Sequence, residues 1–390
     1  MNILHVIPYY EPAWGFGGPV IVCSNIVKEL ARRGYNVTVL TTDALDSKRR
    51  IKKLKTTTNN VKVRRLPNLS TYLAKEQNIY LPKGLNKWLK NNICDFELVH
   101  IHSFFTLLTV LSVFWCGKKA VPFILHLHES PIPSSLVGRQ AIKKTFNFFF
   151  GKRILHHAKK IIVVSEKEKD LIVENMPELR KHIVVVNNPV SKINNTITKA
   201  QARRKLLISP AVKLILCVGR VSHVKRLDLA INALSYLLKR DHNYRLFIVG
   251  ASERKEKDRL FYIVRKNKLA NQVKFCGLVD NSMVRKYYIR AADILVSLSE
   301  YESFGVNVVE ALLGKLPVCV SPAITSVAYK VDKAGCGVTV KDPQNHALVA
   351  NQIDKFIAKK INASAFHLVT KEFEPSTIIN KIELLYREVV

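Results

Sequence analysis

Apolar positions along the chain fall into two alternating kinds of run. Short, mostly apolar stretches occupy residues 2–8, 36–41, 61–66, 98–102, 122–128, 161–164 and 182–186, then 213–218, 245–250, 273–277, 294–296, 317–320 and 337–340. Between many of them the apolar residues recur at helical spacing, as at Val20, Cys23, Ile26, Val27 and Leu30, and again within 229–238, 255–269, 283–290, 304–313 and 344–359. Continuous apolar strands separated by amphipathic helices predict parallel sheets covered on both faces, a doubly wound α/β fold. The first such unit has a glycine-containing loop at 9–18 after its strand, where doubly wound sheets place ligands. Residues 43–60 are basic and show no apolar periodicity, and read as a mobile excursion. The apolar segment 104–116 is too short to span a bilayer and reads as a buried helix.

At 390 residues the chain accommodates two domains. The pattern divides it into 1–195, 196–372 and a last helical segment 373–390, with a linker and a short basic helix over 191–210. Seven cysteines are scattered singly with no C-x-x-C pair, which predicts reduced thiols in a cytoplasmic protein. The short apolar start lacks a basic leader, so export is not expected. The net charge of +32 is spread over both halves, a field that attracts anionic membrane, phosphates or nucleic acid alike. Nucleic-acid binding lacks any supporting zinc spacing, recognition aromatics or helix-turn-helix pattern, and is not expected.

Candidate chemistry centres on residues 299–312. An apolar run leads into Glu302, Ser303, Phe304, Gly305 and a helix that carries Glu310. Ser303 can cap that helix, Gly305 allows close approach, and Val306, Val309 and Leu313 are expected to face inward. With the helix starting near Ser303, the two glutamates stand about 12 Å apart at 1.5 Å per residue. That is roughly the length of a sugar-diphosphate-ribose, with a helix N-terminus between them for the phosphates. The plain alternative makes Glu302 a solvated loop acid and Glu310 a surface acid. Arg220 and Lys225 follow the strand 213–218 and precede a helix, so they can grip a diphosphate or be surface cations. Gly17-Gly18 can let the backbone approach a phosphate or an acceptor, or simply make a turn. His128 ends a strand and can be a site residue or structural, while His100, His102 and His126 read as structural.

Glu-Ser-Phe-Gly followed by Val-Val-Glu-Ala-Leu resembles the Glu-x7-Glu signature of glycosyltransferase family 4, retaining sugar transferases of the GT-B fold. Gly17-Gly18 with the 33–41 strand entry, His128 at a strand end, Asn187-Asn188-Pro189-Val190 and the Gly-Arg-x4-Lys run at Gly219 to Lys225 are similar to the same family. The resemblance covers nearly the whole chain. It implies two Rossmann-like domains facing a central cleft, with the last helix packing back on the first domain. It further implies a nucleotide-diphosphate sugar as donor, bound by Gly17, Gly18, Arg220, Lys225, Glu302, Ser303, Phe304, Gly305 and Glu310. His128, Arg220, Lys225 and Glu302 would serve catalysis, with the two cations stabilising the leaving diphosphate. There is no Asp-x-Asp triplet, so neither a bridging metal nor another cofactor is expected. Leu298 in place of a common Pro, and Lys315 and Arg226 in place of common Gly, depart from the family's pattern. A nucleotide-sugar 2-epimerase of the same architecture is the alternative enzyme.

Residues 130–165 contain no acidic residue and interleave Arg139, Lys143, Lys144, Lys152, Arg153, Lys159 and Lys160 with Phe146, Phe148, Phe149, Phe150, Ile154 and Leu155. Such a segment can lie on an anionic membrane surface, or bury its rings in the core and expose its cations. With the resemblance, it predicts a glycan or lipid-linked acceptor reached from the cytoplasmic face of the membrane.

Overall fold

A computed structural model describes all residues except 133–139, 191–196 and 303. It contains two compact units, residues 1–189 with 375–390, and residues 190–374.

Among the described residues the first unit is built on an eight-stranded sheet. Its strands are β1 (Asn2–Val6), β2 (Asn36–Thr42), β3 (Lys55–Thr58), β4 (Val61–Leu66), β5 (Leu98–His102), β6 (Phe123–His126), β7 (Lys160–Val163) and β8 (Ile183–Val185). The spatial order is β3-β4-β2-β1-β5-β6-β7-β8, and every pair is parallel except β3–β4. β5 and β6 are buried at every position, which is why their residues are apolar apart from histidines. The sequence reading left 43–60 as a mobile excursion, and the structure corrects it. β3 pairs antiparallel with β4, Asp46 accepts from the backbone N–H of Lys48 and Arg49, and Arg50 reaches Asp43 at 3.0 Å. The segment is organised by edge pairing and local charge pairs, neither of which produces hydrophobic periodicity.

The helix Gly18–Arg32 starts behind Gly17, whose φ of 103° and ψ of −156° form a backbone conformation open in practice only to glycine. The C-terminal helix Pro375–Val389 packs against it and buries Ile378, Ile379, Ile382, Leu385 and Tyr386. Each such side chain contributes about 1.5–3 kcal/mol of transfer free energy before entropy is counted. Polar contacts fix its register. Arg33 donates to Glu383 and Asn380 at 2.6 Å each and to the Ser376 carbonyl at 3.2 Å.

The second unit is built on β9 (Lys213–Val218), β10 (Tyr244–Val249), β11 (Val273–Gly277), β12 (Ile294–Ser297), β13 (Val318–Val320) and β14 (Gly337–Thr339). They lie in the order β11-β10-β9-β12-β13-β14, all parallel. The order reverses direction at β9 and β12, a topological switch point of the kind that opens a ligand crevice at the strands' carboxyl ends. The helices Leu227–Leu238 and His346–Ala358 pack on each other over this sheet. Gly250, just after β10, comes so close to β9 that a Cβ there would sit 1.8 Å from the Gly219 carbonyl oxygen.

Arg33→Ala should lower the unfolding free energy by about 1–3 kcal/mol in urea, since it removes the ion pair to the half-buried Glu383 and the bonds to Asn380 and Ser376. It should also speed proteolysis near residue 375. An unchanged transition would mean that the apolar face alone holds the last helix.

Candidate active site

In the second unit the chain leaves β9 through Gly219, with φ of 138°, and Arg220, which is exposed. A short turn, His223–Lys225, follows. The amide of Glu300 donates to the Val224 carbonyl at 2.9 Å and so ties the loop after β12 to this turn. That tie brings the Lys225 ammonium onto the Glu302 carboxylate in an ion pair whose members are both largely buried. Gly219, Arg220 and Lys225 line a small recess with Ser297 and Ser299 at the ends of β9 and β12. Arg226 adopts the left-handed conformation, φ 46°, and its guanidinium lies 3.2 Å from Asp228. It stands at a left-handed position without being glycine, and its charge is paired inside the fold. Lys315 is likewise left-handed, at φ 59°, and Leu298 is buried.

The helix after this loop runs Val306–Leu313 and is entered through Gly305, with φ of 84°. A Cβ on Gly305 would come within 2.7 Å of Ile324 Cγ2, so both backbone and space require glycine. The start near Ser303 expected from the sequence is therefore corrected to Val306, and Glu302 stands in the preceding loop. The 12 Å helical spacing does not apply between Glu302 and Glu310. Ser303 lies outside the described residues. The inward face differs as well: Val309 is buried, but Val306 and Leu313 are partly exposed while Val308, Glu310, Ala311 and Leu312 are buried. The Phe304 ring is buried and packs edge-on against Phe373, and its carbonyl accepts from Ser326. It anchors the loop from within.

Glu310 is 3% exposed, which excludes the surface-acid reading. Burial pushes its carboxyl up, opposed by Arg285 at 3.7 Å and the Asn281 amide at 3.4 Å. A carboxylate kept in the interior at that cost is a candidate for function. Asn307, unmarked by the sequence reading, donates its amide to the Val218 carbonyl and joins this helix to the end of β9. A lone asparagine at the second position of a helix carries no signal until its strand is placed beside it.

The first unit holds the remaining candidates. Gly17 and Gly18 form the entry of the helix Gly18–Arg32. His128 lies two residues beyond β6, partly buried, and belongs to a group of five imidazoles that the sequence reading did not assemble. His5 pairs in register with His100, and His102 with His126, across β1, β5 and β6. Alternation puts residues 100 and 102, and 126 and 128, on one face. Neighbouring rings stand 4.4–5.5 Å apart. His128 Nε2 lies 3.1 Å from His102 Nδ1, His102 Nε2 lies 3.0 Å from His5 Nδ1, and His100 Nδ1 lies 2.6 Å from the Tyr386 hydroxyl. The sets His5–Cys23–His102 and His100–His102–His126 each place their donor atoms within 4.8 Å of one another, so they have the composition of a metal site. His102, common to both sets, already uses both its nitrogens on other imidazoles.

Two family models match the chain, and they meet at the boundary between the units. Glycosyltransferase Family 4 matches residues 16–192, and Glycosyl transferases group 1 matches residues 198–368. Mannosylfructose-phosphate synthase of Agrobacterium fabrum is 23% identical over 88% of this chain and 82% of its own length. Alpha-monoglucosyldiacylglycerol synthase of Streptococcus pneumoniae is 22% identical over 74% of this chain and 64% of its own. The crystal structure of Anabaena HepE in complex with UDP and glucose superposes with a TM-score of 0.74 at 19% identity, covering 100% of both chains. The two parallel-sheet units thus define the class, a GT-B glycosyltransferase. The chain belongs to the group 1 glycosyltransferases of family 4.

Burial holds all five histidines neutral: His5 and His128 are pushed down to about 3, and His100, His102 and His126 well below the usual value. Tyr386 and Cys23, which face them, are pushed up by burial and stay uncharged too. The unfolded chain takes up protons near pH 6.5 and the folded one does not, so unfolding binds protons and stability rises with pH. The stability is complete above about pH 6.5 and is lost as pH falls toward 3, each histidine contributing up to about 1.4 kcal/mol per pH unit. Urea unfolding at pH 7, 6 and 5 should show a slope corresponding to several protons. A flat profile would contradict the neutral cluster.

Proposed function

We propose that the enzyme transfers a sugar from a nucleotide-diphosphate donor to the hydroxyl of a glycan or lipid-linked acceptor, with retention of anomeric configuration. The observation that carries this reading is the meeting of Lys225 and Glu302 at the switch point of the second sheet, beside Gly219 and Arg220. Lys225 and Arg220 take the diphosphate, Glu302 turns to sugar hydroxyls, and the buried Glu310 takes the ribose. Arg220 and Lys225 place two cations after β9 and the sequence has no Asp-x-Asp triplet, which supports neutralisation of the leaving diphosphate by the protein without a metal. An oxygen of the departing diphosphate then accepts the acceptor's proton, with Glu302 occupied by the sugar hydroxyls, and no carboxylate is nominated as a nucleophile. Gly17 and Gly18 are assigned to donor binding and His128 to the reactive side of the sugar and the acceptor, as the family resemblance implies. Binding of UDP and glucose by HepE supports a nucleotide-sugar donor.

The acceptor class follows from the basic aromatic segment. Its core half is Phe146, packed edge-on against Phe104, with Ile154 and Leu155 buried. Its outer half is Phe148, Phe149 and Phe150, exposed by 83%, 65% and 44%, between Lys144 and Lys152–Arg153, all exposed. Arg139 lies outside the described residues. Three adjacent exposed phenylalanines ringed by cations suit an anionic headgroup layer. A relative named for a glucosyldiacylglycerol product supports a lipid-borne acceptor. No described helix is long and apolar enough to cross a membrane.

With the donor selected by thermal stabilisation from UDP-, GDP- and ADP-sugars, Lys225→Ala should lower kcat/KM by about 10²-fold or more. Full turnover would contradict the assignment. Sedimentation should show salt-dependent binding to anionic liposomes, weakened by Phe148→Ser with Phe149→Ser, and equal binding to neutral liposomes would overturn the membrane reading.

A further inference from the structure

We propose that the buried file His128–His102–His5 fixes the proton of His128 on Nδ1, making this residue a neutral hydrogen-bond donor to substrate, with His102 and His5 as its positioning residues. The inference rests on the placement of His128 at the reacting sugar.

Three neutral imidazoles carry three protons, and each of the two contacts, 3.1 Å and 3.0 Å, requires one proton between its nitrogens. Only two arrangements satisfy both contacts. In one, every ring is protonated on Nε2, and the file ends with His5 Nε2–H pointing into the core. In the other, every ring is protonated on Nδ1. His5 then donates to His102, His102 donates to His128, and the file ends in a lone pair on His5 Nε2. That nitrogen is buried and has no hydrogen-bond partner among the described residues. Orphaned buried N–H groups are rarer in folded proteins than buried acceptors left short, which favours the second arrangement.

The Nδ1-protonated file therefore prevails, and His128 presents its remaining nitrogen as N–H. His100 and His126 stack on the file and keep water from supplying a different partner. A donor of this kind holds a sugar oxygen without removing a proton, which leaves proton removal to the departing phosphate. One histidine on β1 and one on β5 thus orient the site residue that follows β6.

The full-length enzyme with 15N-labelled histidine, read by long-range 15N–1H correlation at pH 7, should show Nδ1–H tautomers for His5, His102 and His128, assigned by single substitutions. Nε2–H on His128 would overturn the inference whatever the variants do. Asparagine places its amide near Nδ1 and glutamine near Nε2, so His128→Asn should keep kcat within about tenfold while His128→Gln loses about 10²-fold. The reverse order would overturn the donor role. His102→Phe should lower kcat more than it raises KM and release the tautomer of His128. Full transfer by His128→Ala would overturn the placement of His128 at the reacting sugar, and with it the donor role, independently of what the spectrum shows about the file.

Discussion

Parallel strands buried on both faces leave a polar group few places to go, and that constraint organises each unit. Along β9 and β12 the buried side chains are uncharged and almost all apolar, so charge gathers where the strands stop. Lys225 and Glu302 meet there because a backbone bond from Glu300 to Val224 joins the two loops. Gly219, Gly250 and Gly305 hold the backbone in conformations and at distances that a side chain would block. The cations beside a helix entrance then form a place for phosphate, built from ordinary sheet geometry.

Two kinds of buried polar group depart from this scheme. Glu310 is enclosed near Arg285 and Asn281, a costly position that a fold has no need to maintain for packing alone. The five imidazoles on the first sheet are the second kind. They stay neutral, satisfy one another in part, and leave several ring nitrogens without partners. Their cost appears as acid sensitivity, and their return as the fixed orientation of one ring.

The excess positive charge has no single purpose. Some cations are spent inside the fold, as Arg33 is on the last helix and Arg226 on Asp228. Others surround the exposed phenylalanines, and a few stand at the recess after β9. Composition counts all of these alike, and only their surroundings separate them.

The sequence by itself determined the alternation of strand and helix, the doubly wound class and the cations after β9, because these depend on local periodicity and on spacing within one loop. Its boundaries for β4, β5, β9 and β11 agree with the structure, since buried parallel strands are written as continuous apolar runs. Tertiary structure alone decided the start of the helix at Val306, the pairing of β3, the burial of Glu310 and the assembly of His5, His100, His102, His126 and His128. Each of these depends on which distant segment lies alongside: Ile324 against Gly305, β4 against β3, Arg285 against Glu310, and β1 between β2 and β5. Sequence spacing carries no record of such neighbours, because strands far apart in the chain become adjacent only when the sheet closes their order.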